Sequence, residues 1–491
     1  MAMPLQLRIV ESRLGLRTAR SRMPFRYGIV TVRAAPIATL EVTIETKSGE
    51  RSRGYAADFL AYRWFDKRPH KSLLDNVSDL VRAIRCAIAI CQSRPAYRTA
   101  FDLWQECLAG MAAAVPTHDL NDLTVSFGAS MPERAVIDAL GRLLGLPMAD
   151  LMKSDALRID LGRLDPDLGG IDVRDILAEQ PLGRLWIRHT VGLLDPITAA
   201  DRPAGAAVSD GLPETLEDYL RVDSIRFLKV KVTGRLGEDL ARLGSIAGLL
   251  SRSPLPCAVT LDGNEQYADL DAFAELVDRL RTTPELQTFY DAILFIEQPL
   301  ERSVALAPAA ESLLKRIGEQ KPVIIDEADG TLHAFRAAMA LGYRGVSHKN
   351  CKGVYKSLTN LARARWRNEM LGAERYFLSA EDLTNLPVVP LQADLASVAL
   401  LGIPHVERNG HHYFFGLDHL TGDEQAAALA SHPDLYARCG EGAVLRIRDG
   451  AIDINSIQVP GMGFAVLPDM EAMMPPEQWL DRHGASIGLA D

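Results

Sequence analysis

The chain has 491 residues, 47% of them hydrophobic and 24% charged, with a formal net charge of −10. That much apolar side chain can offset the entropy of ordering, so a disordered chain and a small staple-dependent fold are both excluded. At roughly 100–200 residues per domain, about two to four units are expected, or fewer if one is a large barrel. The acidic balance argues against nucleic-acid binding as the main task, because phosphate neutralisation needs clustered Lys and Arg. Cys86, Cys91, Cys107, Cys257, Cys351 and Cys439 form no C-x-x-C pair, so reduced thiols in a cytoplasmic protein are expected. The first residues carry frequent charges and no apolar core, which speaks against a signal peptide. No run reaches the roughly 18 apolar residues of a membrane helix.

In chain order, Ile37 to Thr46 alternates apolar and polar residues, which predicts a half-buried strand. Leu73 to Cys91 and Ala100 to Ala114 have helical spacing, and Pro132 to Leu144 reads as a helix that opens at Pro132 and stops at Gly145. From about residue 185 the texture changes. Strand candidates are Leu185 to Val191, Arg226 to Val232, Ala258 to Leu261, Ala292 to Ile296, Val323 to Ile325, Gly345 to His348, Arg375 to Ser379 and Pro404 to Glu407. Helix-sized segments such as Asp269 to Leu280 and Leu332 to Leu341 lie between most of them, which predicts a parallel sheet with helical crossovers. Eight such strands favour a closed barrel, with a doubly wound sheet as the competitor. Val444 to Ile454 is two alternating runs around Asp449-Gly450, a hairpin signal whose strands are expected to return to the first domain.

Polar residues stand at the C-terminal ends of successive strands. Lys229 and Lys231 end the second, Asp262 the third, Glu297 the fourth, Asp326 and Glu327 the fifth, and Lys349 the sixth. In a (β/α) barrel those ends form one rim, where active sites are built. The period of two points Lys229 and Lys231 the same way. Singly, each acid reads as a helix cap or a turn residue, and two lysines at i and i+2 read as a solvated face. Together, three acids on three strands can converge on one hard divalent cation, and oxygen ligands suit Mg²⁺.

This set resembles the enolase superfamily, in particular the mandelate racemase/muconate lactonizing enzyme group. Lys229-Val230-Lys231 is similar to its K-x-K; Asp262, Glu297 and Asp326 match its Mg²⁺ ligands; Lys349 matches the base on the sixth strand. Ala135 to Met152 resembles the helix leading into the barrel, and Met23 to Val32 the N-terminal specificity loop with its following strand. The resemblance runs from about Leu7 to Asp469. It implies a modified (β/α)7β TIM-type barrel, residues 185–410, under an α+β capping domain. Residues 1–150 build that cap, and residues 411–491 return to it. Lysines on both sides match the muconate lactonizing enzyme subgroup. Glu327 is an alternative third ligand, and Lys352 competes with Lys349 for the sixth-strand role. The stretch from Arg281 to Tyr290 reads as an insertion.

The resemblance implies abstraction of the proton alpha to a substrate carboxylate, with Lys231 and Lys349 on opposite faces and Lys229 assisting. A divalent metal stabilises the charge of the resulting enolate. Racemisation or epimerisation and cycloisomerisation or elimination follow from the same enolate. An acid-sugar dehydratase, with His348 or a histidine near His405 as acid, and a metal-binding barrel without catalysis are the alternatives. The three acids, three lysines and Mg²⁺ leave a net of about +2, suited to an anionic substrate. Arg26, Asn264, Glu381 and His405 are candidate substrate contacts, and Arg20, Arg22 and Arg63 lie in lid-like segments with Trp64. His405, Glu407, His411, His412 and His419 cluster near the eighth strand and could form a zinc site, though substrate contact or ordinary surface histidine is the simpler reading. A small-molecule carboxylate, no nucleic acid, no membrane and a homo-oligomer complete the expectation.

Overall fold

A computed structural model describes residues 5–484 apart from 94, 203, 204 and 206, and the reading of the first residues lies partly outside them. The chain opens with an antiparallel sheet of β1 (Leu7–Tyr27), β2 (Val30–Thr46) and β3 (Arg51–Phe59), in that order. The expected specificity loop is absent as a loop: β1 runs on to Tyr27 and turns at Gly28, whose φ of 48° suits a residue without Cβ. The alternation of β2 understates its burial. Only Glu41 is partly exposed between Ile37 and Thr46. The helix Asp122–Leu144 packs against β2 and β3, and residues 387–390, 466–468 and 473 line a pocket with Ile37, Thr39 and Ala57.

Helices α1 (Leu73–Gln92), α2 (Ala100–His118) and α3 (Asp122–Leu144) follow. The Asn121 side chain caps α3 by accepting from the Thr124 N–H, and Gly145 ends it at φ 68°. Pro132 therefore lies inside the helix and does not start it. A proline forfeits one backbone hydrogen bond; every residue from Leu123 to Gly141 is buried, and that packing outweighs the loss.

Eight parallel strands close a barrel: β4 (Arg184–Val191), β5 (Phe227–Lys231), β6 (Ala258–Asp262), β7 (Ile293–Glu297), β8 (Val323–Ile325), β9 (Gly345–His348), β10 (Phe377–Ala380) and β11 (His405–Arg408). Each pairs with the next, and β11 pairs with β4. That closure removes the doubly wound alternative. Helices occupy the crossovers, the longest being Val354–Leu371. The stretch read as an insertion forms short helices at Pro284–Leu286 and Gln287–Ala292, just before β7.

The turn at Asp449-Gly450 forms, with both φ positive. Its flanking runs do not pair with each other as strands. β12 (Tyr436–Cys439) pairs with β13 (Gly442–Leu445), and β14 (Ala451–Asp453) adds antiparallel to β4, extending the barrel sheet. Two strands joined by a tight turn can each find a better-buried partner, and Arg184 to Trp186 of β4, which precede its pairing with β5, supply one. The chain then reaches the cap. Met474 and Leu16 exchange backbone hydrogen bonds, Trp479 Nε1 donates to Thr18 Oγ1 at 2.8 Å, and the Met462 N–H donates to Asp138 Oδ1 at 2.8 Å. No helix among the described residues is long and apolar enough to cross a membrane.

Candidate active site

The pleat stacks inward side chains in layers. Register aligns Lys231 with Asp262 and Asp262 with Glu297, so these three share one level at the rim. Lys229 lies a layer deeper, and its Nζ stands 2.6 Å from Glu381 Oε2, 2.7 Å from Glu297 Oε2, 2.9 Å from Glu407 Oε2 and 3.0 Å from Asp262 Oδ2. Lys231 Nζ is 2.5 Å from Asp262 Oδ2. Lys349 Nζ is 2.7 Å from Asp326 Oδ2 and 4.3 Å from the centre of the Trp64 ring. The structure thus brings Lys229, Lys231, Lys349, Asp262, Glu297 and Asp326 into one buried cluster.

Burial alone lowers the Lys229 ammonium, but Asp262, Glu297, Glu381 and Glu407 raise it well above the usual lysine range. Burial likewise lowers Lys349, and Asp326 together with Glu297 and Glu407 more than reverses that. Burial pushes Glu297 well above the carboxylate range, with Asp262 and Glu381 adding to it. A lysine among these acids gives up its proton only where their charge is offset.

Glu327 lies beside this cluster. Asn264 Nδ2 donates to its Oε1 at 3.2 Å, and Lys67 Nζ stands 3.6 Å away. Burial raises Glu327, partly countered by Lys67. Lys352 does not replace Lys349; its Nζ sits 2.9 Å from Asp326 Oδ1 and donates to Ser347 Oγ at 2.7 Å. Lys352 thereby holds the carboxylate that Lys349 also contacts.

Three expected substrate contacts are placed elsewhere. Arg26 is exposed, because β1 continues as a strand and its period turns Phe25 and Tyr27 inward. His405 starts β11, at the opposite end of the barrel from the rim, stacked on Phe227 at 4.8 Å, with burial and Arg188 holding it down at about 3. Glu381 is fully buried below the cavity, bonded to Arg188, Ser379 and Lys229. Asn264 does line the cavity. Of the lid arginines, Arg22 pairs with Asp210 at 2.6 Å and Arg63 donates to the Arg68 carbonyl.

The histidines make no zinc centre. His411 bonds His189 at 3.0 Å, His412 bonds Tyr219, and His419 bonds the Pro387 carbonyl. Among the described residues, no group of three or more His, Cys, Asp or Glu is arranged ready to hold a metal ion. The oxygen donors at the rim nevertheless suit a hard cation. Oε1 of Glu297, Oε2 of Glu327 and Oδ1 of Asn264 are buried without a hydrogen-bond partner, while Glu297 Oε2 is ion-paired to Lys229, and unpartnered buried atoms are costly unless something satisfies them.

Two groups carry more of this site than the sequence suggested. Glu407 lies on β11, accepts from Thr190 Oγ1 at 2.8 Å and from the Asp382 N–H at 2.9 Å, and lines the cavity. Arg188 on β4 anchors Glu381 beneath Lys229. The inward parity of β11 and β4 was the available signal for both.

A barrel of eight parallel strands, capped by an antiparallel sheet with helices, with acids and lysines on its rim, defines the capped-barrel class. The chain has the fold of the mandelate racemase/muconate lactonizing enzyme group. It is similar to muconate lactonizing enzyme from Klebsiella pneumoniae (17% identity, 96% of this chain and 98% of that one, TM-score 0.56). It is also similar to muconate lactonizing enzyme from Pseudomonas fluorescens complexed with muconolactone (15%, 96% and 98%, TM-score 0.57). A third is dipeptide epimerase from Methylococcus capsulatus complexed with Mg and the dipeptide L-Arg-D-Lys (18%, 93% and 99%, TM-score 0.55). No protein-family model and no curated protein matches the sequence.

Proposed function

We propose that the chain is an enzyme of this group that removes the proton alpha to the carboxylate of a small molecule, with Mg²⁺ as cofactor. One observation carries the reading: Lys231 of β5 and Lys349, just past β9, line one small cavity with Asn264 and Glu407, and Asn264 leads to Glu327, whose Oε2 is buried without a partner. Asp262, Glu297 and Asp326 would hold the ion, with Glu327 as the alternative third ligand. When bound, Mg²⁺ offsets charge that develops on the substrate carboxylate. Lys231 and Lys349 would take the proton from one face and return one to the other, and Lys229 would orient the carboxylate while holding Glu297, Glu381 and Glu407 together. Racemisation or epimerisation needs only these two lysines. Cycloisomerisation or elimination uses the same first step.

The dehydratase reading lacks its acid. His348 bonds Ser357 Oγ at 2.7 Å and faces Asp394, His405 is at the far end of the barrel, and no histidine lines the cavity among the described residues. The test replaces Lys231 and Lys349 singly with Ala and follows deuterium uptake at the alpha carbon of a carboxylic-acid library in D₂O with Mg²⁺. Each variant should lose exchange on one face. Normal exchange in both sinks the assignment, and no exchange in the wild type with bound Mg²⁺ favours a binding barrel.

A further inference from the structure

We infer that this cavity selects a monocarboxylate with an apolar side group and a neutral hydrogen-bond acceptor, and rejects a second carboxylate, a free ammonium or a polyhydroxylated chain; this rests on the proton-abstraction reading above. The charged groups lie at the bottom, where Lys231, Lys349 and Glu407 meet Asn264. The apolar lining is Phe25, Tyr27, Phe59, Ala61 and Trp64 from the cap with Leu383 from the barrel, and Asp382, Thr384 and Asn409 complete the wall. Phe25 and Tyr27 pack at 5.0 Å, and Phe25 stacks on Tyr413 at 4.0 Å, so the inner face of β1 is a fixed aromatic surface. The Tyr27 hydroxyl is occupied, donating to the Tyr62 carbonyl at 3.1 Å.

A second carboxylate needs a cation beside that lining, and each nearby one is engaged elsewhere. Arg22 is bound by Asp210 and by the Pro213 and His412 carbonyls. Lys67 is 2.6 Å from Glu265 and donates to the Asn264 carbonyl. Arg408 lies between Asp382 and Asp394, and Arg26 is exposed on the outer face of its strand. An ammonium finds no free anion either. Asp382, the acid of that wall, accepts from the Asn385 and Asn409 N–H groups and pairs with Arg408. What remains without a partner is neutral: Trp64 Nε1 as donor, and the Asn264 and Asn409 side-chain oxygens as acceptors. A buried unpaired indole N–H favours a ligand with an acceptor beside the carboxylate. The hydroxyls of a sugar acid outnumber that donor and those two acceptors, so most of them would lose water against the aromatic residues without replacing it.

The test uses the full chain with Mg²⁺ in D₂O and four acids that each carry an alpha proton. Methoxyphenylacetate and 2-phenylbutanoate differ by an ether oxygen in place of a methylene; phenylsuccinate adds a second carboxylate; gluconate is polyhydroxylated. Alpha exchange gives kcat/KM, and the ligand-induced rise in melting temperature gives binding. The two phenyl monocarboxylates should exchange at least tenfold more efficiently than phenylsuccinate or gluconate, with methoxyphenylacetate ahead. Trp64→Phe should lower the methoxy-to-methylene ratio several-fold. Phenylsuccinate or gluconate performing as well overturns the substrate class and leaves proton abstraction standing. Binding of the phenyl monocarboxylates above the others with no exchange overturns proton abstraction and leaves the pocket chemistry standing. Binding of none of the four overturns the inference, and a ratio unmoved in Trp64→Phe overturns the role of its N–H.

Discussion

Glu133 offers a pH test of how the cap holds the lysine-bearing rim of the barrel. It projects from α3, is 4% exposed, and accepts from the Tyr355 N–H at 2.7 Å through one oxygen, while the other has no partner. Tyr355 follows directly on the segment bearing Lys349 and Lys352, and Ser126 of the same helix donates to the Lys352 carbonyl at 2.9 Å. Burial pushes Glu133 up to about 7, from a usual 4.5, with the Tyr355 N–H opposing it. Because its folded value lies above the unfolded one, its stabilising contribution is fully present below about pH 4.5 and is lost as pH rises through 7. A gap of about 2.5 pH units at 1.36 kcal/mol each makes that loss about 3 kcal/mol. Glu133→Gln keeps the acceptor for Tyr355 and cannot ionise. Urea denaturation of both proteins from pH 4.5 to 8 isolates this group, since every other titration cancels in the difference. The variant should gain on the wild type steadily, reaching about 3 kcal/mol at pH 8. A difference that stays constant over that range refutes the reasoning.

Three further outcomes follow from single contacts. Lys229→Met leaves Glu297, Glu381, Glu407 and Asp262 facing one another without their shared ammonium; removing one partner of a buried ion cluster costs about 3–5 kcal/mol, which thermal melting at pH 7.5 reads as a large fall in Tm. Gly54 lies on β3 against α3, where an added Cβ would stand 2.1 Å from the Ala135 carbonyl oxygen and 2.3 Å from the Ala139 nitrogen; Gly54→Ala should cost about 1–3 kcal/mol, checked by denaturant midpoint. Asp326→Asn should weaken Mg²⁺ binding at least tenfold by calorimetry while Glu327→Gln weakens it less, and the reverse order would make Glu327 the third ligand.

The strand-end chemistry was legible because a barrel forces it onto the sequence. Every strand reaches the rim once, so Lys229, Lys231, Asp262, Glu297, Asp326 and Lys349 each follow an apolar run, and their convergence needs only that the runs close in order. The misplacements of His405 and Arg26 are of one kind. His405 and Arg26 were chosen by proximity in sequence to a rim or a lid, whereas the decisive variables were strand direction and parity. His405 begins β11 and Glu407, two residues on, reaches the rim; Arg26 sits between Phe25 and Tyr27, which alone face inward. Arg188 and Thr190 on β4 obey the same rule, yet they gain meaning only after β11 closes on β4 and sets them against Glu381 and Glu407.

Closure also explains why the lysines could not be understood one at a time. From sequence, a second lysine beside Lys231 looks like a device for lowering its proton affinity. In the folded barrel, Lys229 meets carboxylates from β6, β7, β10 and β11, two of which the sequence did not connect with it, and their summed field runs the other way. A reaction that needs a neutral lysine here therefore depends on offsetting carboxylate charge, not on crowding ammonium groups. The same acids that make the rim attractive to a divalent cation are the ones that hold the lysine protons, so cation binding and base strength are two consequences of one electrostatic balance.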